Sequence, residues 1–206
     1  MVLNKNWNAC VKEAFKQVEA YSKDSDKKTL LIVIDGMSAA GKTTLGVQLQ
    51  AAYGGNLFHT DDFFLQPHQR TAKRLAETGG NLDYERFKAE IIDKLEEEQG
   101  LCYGVYDCYR QCIARQVSVP YESVNIIEGS YSAHPYFGDK ADLYFFMEID
   151  AEEQKRRIKA RNGESMLERF VQEWIPRENQ YFEAFHIREK CICLRTDMKE
   201  QEVIRA

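Results

Sequence analysis

Gly36-Met37-Ser38-Ala39-Ala40-Gly41-Lys42-Thr43 decides how this chain of 206 residues is read. The stretch matches G-x-x-x-x-G-K-[ST], the spacing of a phosphate-binding loop. Before it, Thr29-Leu30-Leu31-Ile32-Val33-Ile34-Asp35 is short, apolar and rich in β-branched residues, as a buried parallel strand should be. After it, Lys42 to Tyr53 reads as a helix with Leu45, Leu49 and Ala52 on one side. A strand, a glycine turn and a helix N-terminus together make an anion site, because backbone N–H groups and the helix dipole converge there. Gly36 and Gly41 permit the backbone angles, and Ser38, Ala39, Ala40, Gly41 and Thr44 complete the lining. Lys42 is placed to reach the β- and γ-phosphates of a nucleotide, and the Thr43 hydroxyl to ligate Mg²⁺. The competing reading is a Gly/Ala turn with a solvated lysine. The strand before and the helix after favour the nucleotide.

The composition bounds the rest. A 24.0 kDa chain with 44% hydrophobic and 30% charged residues fits one globular domain that needs no disulfide staples. The net charge of −5 argues against a nucleic-acid surface, which calls for a basic face. No signal peptide and no membrane-length apolar run is visible, so a cytoplasmic protein is expected. Cys10, Cys102, Cys108, Cys112, Cys191 and Cys193 form no C-x-x-C pair and read as reduced thiols.

In chain order, 5–22 reads as an amphipathic helix with Trp7, Cys10, Val11, Ala14, Phe15, Val18 and Tyr21 on its packed side. Leu57-Phe58-His59 is a second strand that delivers Asp61-Asp62-Phe63-Phe64 to the carboxyl edge of a sheet, where ligands bind in open α/β folds. Residues 66–82 read as a mobile or substrate-covering segment with a short helix at 70–77. A helix over 84–98 follows, with Asp83 at its N-cap. Leu101 to Tyr106 and Gln116 to Val119 suggest a hairpin insertion. Ser123 to Ile127 and Leu143 to Ile149 are further core strands, the first ending in Glu128-Gly129. A basic helix runs from Asp150 to Arg161. A longer one covers 164–184, bent at Pro176, and Cys191 to Leu194 is a last strand. The expectation is a single domain over 1–206: an N-terminal helix at 5–22, a nucleotide-binding core at 29–162, and a C-terminal helix and strand within 164–206. Its architecture is an α/β, three-layer α/β/α P-loop NTPase fold with a mainly parallel sheet, a small lid and a hairpin insertion.

The charged residues at strand ends point to phosphoryl transfer. The chain shows no N-K-x-D guanine motif and no L-S-G-G-Q transporter signature, and it is short for a motor ATPase. A small-molecule kinase remains. Its acceptor hydroxyl needs a carboxylate as base, which Asp61 or Asp62 supplies, with Asp61 the better placed and Asp62 available to metal. Glu128 can hold Mg²⁺. Arginines on the basic helix can neutralise transition-state charge. The histidines are scattered, and none pairs with a nucleophile.

The chain resembles the uridine kinase branch of the uridine kinase, phosphoribulokinase and pantothenate kinase superfamily. Asp61-Asp62-Phe63-Phe64, Asn81-Leu82-Asp83, Tyr106-Asp107, Glu128-Gly129, and Arg156-Arg157 with Arg161 are similar to the motifs of that group over about residues 29–162. The resemblance implies an ATP- and Mg²⁺-dependent kinase with Asp61 as general base. It implies Phe64, Asp83 and Tyr106 around the acceptor, and Arg157 and Arg161 in the lid. The His-Pro that usually follows the aspartate of the second motif is absent, and Trp174 to Tyr181 has no clear counterpart. A uridine- or cytidine-like nucleoside is the first acceptor implied; pantothenate, nicotinamide riboside or a sugar is the alternative, and a non-catalytic ATP-binding module a further one. The partner expected is a small-molecule acceptor, with neither nucleic acid nor membrane. The oligomeric state stays open, a homo-oligomer included.

Overall fold

The computed structural model describes residues 5–25 and 27–196; the tail 197–206, read above as part of the domain, lies outside the described residues. Helix α1 (Lys5–Asp24) leads into β1 (Leu30–Gly36), the phosphate-binding turn and α2 (Lys42–Tyr53). Strand β2 (Asn56–His59) ends in a 3₁₀ turn, Thr60–Phe63. Short helix α3 (Ala72–Ala76) precedes a continuous helical stretch of α4 (Tyr84–Phe87), a π turn (Lys88–Ile92) and α5 (Asp93–Glu96). The hairpin β3 (Leu101–Asp107) and β4 (Cys112–Val119) follows, then β5 (Val124–Glu128) and β6 (Leu143–Glu148). The chain closes with α6 (Ala151–Asn162), α7 (Glu164–Arg169), a π turn (Phe170–Trp174), α8 (Ile175–Ala184), α9 (Ile187–Lys190) and β7 (Ile192–Arg195).

Five strands form one parallel sheet in the order β2-β5-β1-β6-β7, and the hairpin stands apart. The order follows from burial. Successive side chains of a strand point to opposite faces, and here both faces are apolar. Ile32, Ile34, Ile126, Phe145 and Met147 pack with Trp7, Ala14, Leu45 and Leu49 of α1 and α2. Val33, Phe58, Ile127 and Phe146 pack on the other face with Phe87 and Ile91 of the α4–α5 stretch, Tyr181 and Phe182 of α8, and Ile187 of α9. The result is the expected three-layer α/β/α arrangement around a parallel sheet. β1 runs between β5 and β6, so the turn after Gly36 opens at the centre of the carboxyl edge.

Several local expectations change. Ala52 is exposed; α2 buries Lys42, Leu45, Gly46 and Leu49 instead. The stretch 66–82 carries a 3₁₀ turn at Pro67–Gln69 and α3 at Ala72–Ala76, close to the helix expected at 70–77. Arg74 donates to Gly80 O at 3.1 Å and to Leu82 O at 2.9 Å, so one half-buried guanidinium gathers the turn. The stretch 164–184 carries a π turn at Phe170–Trp174, and Pro176 sits in the first turn of the α-helical segment that follows. Proline has no N–H to give to the preceding turn, and widening that turn just upstream accommodates the loss. Likewise 84–98 carries a π turn and ends at Glu96. Helix α9 was not expected from the sequence.

Gly36 is fixed by its neighbour strand. It sits at φ 127°, and a Cβ there would stand 2.2 Å from Met147 O. Gly36→Ala is therefore expected to cost about 3 kcal/mol or more in chemical denaturation. Gly54→Ala has nothing within 4 Å of the added carbon but keeps the backbone strain of φ 73°, ψ −159°, and should cost about 1–3 kcal/mol.

Candidate active site

The phosphate-binding turn is held from behind, which leaves its inner face to a ligand. Gly41, at φ 105°, is the N-cap of α2, and Ala39 also takes a positive φ of 61°. The buried Asp35 carboxylate accepts Gly36 N–H at 2.6 Å, Ala133 N–H at 2.9 Å and the Tyr181 hydroxyl at 2.8 Å. Burial raises the Asp35 pKa, and the three donors and the Lys42 charge oppose that rise. Ser38 is gripped on both sides: its N–H and hydroxyl reach Glu178, and its carbonyl accepts Gln154 Nε2 at 3.0 Å. Arg157 donates to Ala39 O at 3.3 Å while pairing with Glu153.

Lys42 folds back on its own loop. Its Nζ donates to Gly36 O at 2.7 Å and Met37 O at 3.1 Å, and the side chain is buried. The Thr43 hydroxyl donates to Glu128 Oε1 at 3.0 Å. That same oxygen accepts His59 Nδ1–H at 2.5 Å. The hydrogen bond to Glu128 raises the His59 pKa more than burial lowers it. His59 carries no role in the sequence reading. The signal was its position ending β2, but the pairing His59↔Glu128 becomes visible only once β2 is known to lie beside β5.

Asp61 and Asp62 occupy the 3₁₀ turn after β2. Asp61 opens to solvent on one side, while the protein mass behind it raises its pKa. Lys42 opposes that rise and the Glu128 charge adds to it. Asp62 is raised as well, again by burial first, with His59, Arg115 and Arg86 opposing. A carboxylate pushed up in this way is a better base near neutral pH. The structure thus brings Lys42, Thr43, Asp61, Asp62 and Glu128 within electrostatic reach of one another at the carboxyl edge. The Thr43 and Glu128 oxygens form a hard donor set that suits Mg²⁺. Among the described residues no cluster of three or more His, Cys, Asp or Glu forms a metal cage.

The remaining sequence-picked residues divide. Asp83 is buried and caps α4, accepting Arg86 N–H at 3.2 Å and Gln69 Nε2 at 2.9 Å. Its backbone N–H donates to Phe63 O at 2.7 Å, and Phe64 bridges to Leu82, so this segment lies against the Asp61 turn. The buried Tyr106 accepts Arg70 at 3.0 Å through its hydroxyl. Arg161 is exposed at the end of α6 and donates to Asn162 Oδ1 at 2.7 Å. Lys155 and Arg156 pair with Glu152 and Glu153 of their own helix. Of the basic side chains on α6, Arg157 reaches the phosphate-binding turn, beside Gln154 of the same helix.

With this geometry in place, comparison with known proteins is informative about fold. No family model and no curated protein sequence matches the chain. Solved structures do. A "possible uridine kinase" from Bacillus stearothermophilus is similar over 92% of this chain and 98% of its own, with a TM-score of 0.69 at 19% identity. The YGR205w protein matches over 94% and 95%, with a TM-score of 0.61 at 14% identity. D-glycerate 3-kinase from Cryptococcus neoformans matches over 84% and 87%, with a TM-score of 0.52 at 14% identity. The chain has the fold of uridine kinase-type P-loop kinases. No described helix is long and apolar enough to cross a membrane.

A buried histidine in the aromatic cluster behind the sheet carries a testable pH signature. His134 stacks between Tyr84, at 4.9 Å, and Tyr181, at 5.9 Å. Its Nδ1 accepts Tyr136 N–H and its Nε2 faces Thr78 O, the pattern of a neutral ring. Burial lowers its pKa. A depressed histidine supplies stability that is fully present above the ordinary value of about 6.5 and is lost as pH falls through the folded value. NMR titration should place the His134 ring below that ordinary value. His134→Gln should flatten the acid-side fall of unfolding free energy.

Proposed function

We propose that this protein is an ATP- and Mg²⁺-dependent kinase that transfers the γ-phosphoryl group to a hydroxyl of a small molecule, with a uridine- or cytidine-like nucleoside as the first acceptor. The observation that carries the reading is the apposition of Lys42 and Asp61 across the carboxyl edge, one cation on the phosphate side and one raised carboxylate on the other. Backbone N–H groups of Ala39 to Thr44 bind the phosphates. Lys42 leaves its own loop carbonyls and neutralises charge that spreads over the transferred group. Asp61 accepts the acceptor proton as the oxygen attacks phosphorus. Arg157, already on the turn at Ala39, orders the donor side, and Arg161 reaches it only if the end of α6 moves. Magnesium, when bound, supplies charge neutralisation at the phosphates, with Thr43 and Glu128 as its protein ligands and Asp62 beside them. Asp83 and Tyr106, with Phe64, border the acceptor.

A second reading keeps the chemistry and changes the acceptor to a non-nucleoside such as a sugar, pantothenate or nicotinamide riboside. The likeness to a D-glycerate kinase supports it, as does the missing His-Pro after Asp83. A coupled assay of ATP consumption over nucleosides, glycerate, sugars, pantothenate and nicotinamide riboside separates the two. If no acceptor stimulates consumption, the kinase reading gives way to a nucleotide-binding module. With the active acceptor, Asp61→Asn should lower turnover about 10²–10⁴-fold while MgATP still binds. Lys42→Ala should weaken both binding and turnover. Unchanged turnover in Asp61→Asn would remove Asp61 as the base.

A further inference from the structure

The buried carboxylate of Glu178 lies outside every element that the kinase reading uses. It belongs to α8, within the Trp174 to Tyr181 stretch that has no counterpart among the recognised motifs. It is 4% exposed, and among the described residues no lysine, arginine or histidine is ion-paired with it. Three donors satisfy it. Ser38 N–H reaches Oε2 at 3.0 Å, the Ser38 hydroxyl reaches Oε1 at 2.5 Å, and the Ser130 hydroxyl reaches Oε1 at 2.8 Å. Burying a carboxylate without a cation is costly unless hydrogen bonds replace its water. Its retention at this point calls for a physical reason.

The path continues beyond Ser130. The Ser130 carbonyl accepts the Thr60 hydroxyl at 3.0 Å, and Thr60 is 1% exposed. Thr60 is the first residue of the turn that presents Asp61. Gly129, at φ +133°, makes the approach possible, because a Cβ there would stand 2.0 Å from Thr60 Oγ1. One buried chain of hydrogen bonds therefore runs from Ser38 in the phosphate-binding turn through Glu178 and Ser130 to the Asp61 turn. Its ends are the donor and acceptor halves of the site.

We propose that Glu178 is a positioning residue that fixes the phosphate-binding turn and the Asp61 turn relative to each other, so that occupation of one is felt at the other. The inference rests on the nucleotide-site reading above. The carboxylate accepts all three contacts at its two oxygens, and truncating it removes them together. The glutamine isostere can keep its oxygen on Ser38 N–H and donate its N–H₂ to the two hydroxyls, so Glu178→Gln is the conservative variant and Glu178→Ala the disruptive one. In-line transfer tolerates little error in the separation of its two halves. The coupling acts on that separation without Glu178 touching any substrate.

The test is hydrogen exchange of the full chain with and without MgATP, read in peptides covering 36–44 and 57–65. In the wild type, MgATP should slow exchange in both segments. Ser130→Ala cuts the path beyond Glu178 and leaves the Ser38 contacts intact. It should keep the protection of 36–44 and lose that of 57–65. Glu178→Ala should lose the second protection too, with adding Ser130→Ala to it changing little more, whereas Glu178→Gln should retain it. With whichever acceptor the assay identifies, Ser130→Ala should lower kcat at least ~10-fold with KM for ATP within about 2-fold. A merely structural role would lower the melting temperature of Ser130→Ala and leave the 57–65 response in place, which would overturn the proposal. Wild-type protection confined to 36–44 would overturn it as well while leaving the nucleotide site standing. No protection in either segment of the wild type would remove the nucleotide site itself, and the proposal with it.

Discussion

A loop that offers its backbone N–H groups to an anion cannot use those groups to hold itself in place. That constraint organises this molecule. Apart from Ala40 N–H, which donates to Met37 O at 3.2 Å, the turn from Gly36 to Thr43 is fixed by contacts on its outer side. Asp35 takes Gly36 N–H, Glu178 takes Ser38 N–H, and Gln154 and Arg157 donate to the Ser38 and Ala39 carbonyls. The two carboxylates are buried, and α8 serves both, directly through Glu178 and through the Tyr181 hydroxyl on Asp35. Residues 178 and 181 are one helical turn apart, so a single helix face carries both contacts. The apolar side of that helix packs Tyr181 and Phe182 into the core with Phe146. Packing thus supplies the rigidity that the polar contacts pass on to the loop.

The electrostatics show a site whose charged and polar groups pair with one another. Lys42 rests on two loop carbonyls, and Thr43 and His59 share one oxygen of Glu128. Asp61 and Asp62 sit nearby with raised pKa values because burial and the Glu128 charge disfavour ionising them. A polyphosphate with its cation would draw Lys42 out and take over the Thr43–Glu128 contact. Repulsion among these acids is a stability cost concentrated at the site, as expected where function sets the residue choice.

What was legible in the sequence follows the range of the interactions involved. The strand, turn and helix around Lys42 are contiguous, and their periodicities and glycines are local signals. Asp61 and Glu128 were legible for a similar reason: each ends an apolar run, and parallel sheets put such ends on one edge. Asp83 could be read as an N-cap from its position alone, and it is one. The His59–Glu128 contact was hidden because it depends on strand order. The roles of Glu178 and Tyr181 were hidden further, since Ser38 and Glu178 are 140 residues apart and nothing near Glu178 marks it as buried. Pro176 was legible as a break in the helical hydrogen-bond ladder, while the widened turn just upstream that absorbs the missing N–H was not. The basic run of α6 looked like a lid in the sequence, but most of its charges pair along the helix, where i,i+3 and i,i+4 neighbours are always available.

The most direct measurement is a crystal structure of the protein with Mg²⁺ and a non-hydrolysable ATP analogue. The account predicts the β-phosphate inside the turn, with Lys42 Nζ moved from Gly36 O and Met37 O onto phosphate oxygens. It also predicts the Thr43 hydroxyl turned from Glu128 to the metal, and Asp61 facing the γ-phosphate across an open acceptor space. Nucleotide bound elsewhere, or Lys42 still on its own loop carbonyls with the turn empty, would contradict it.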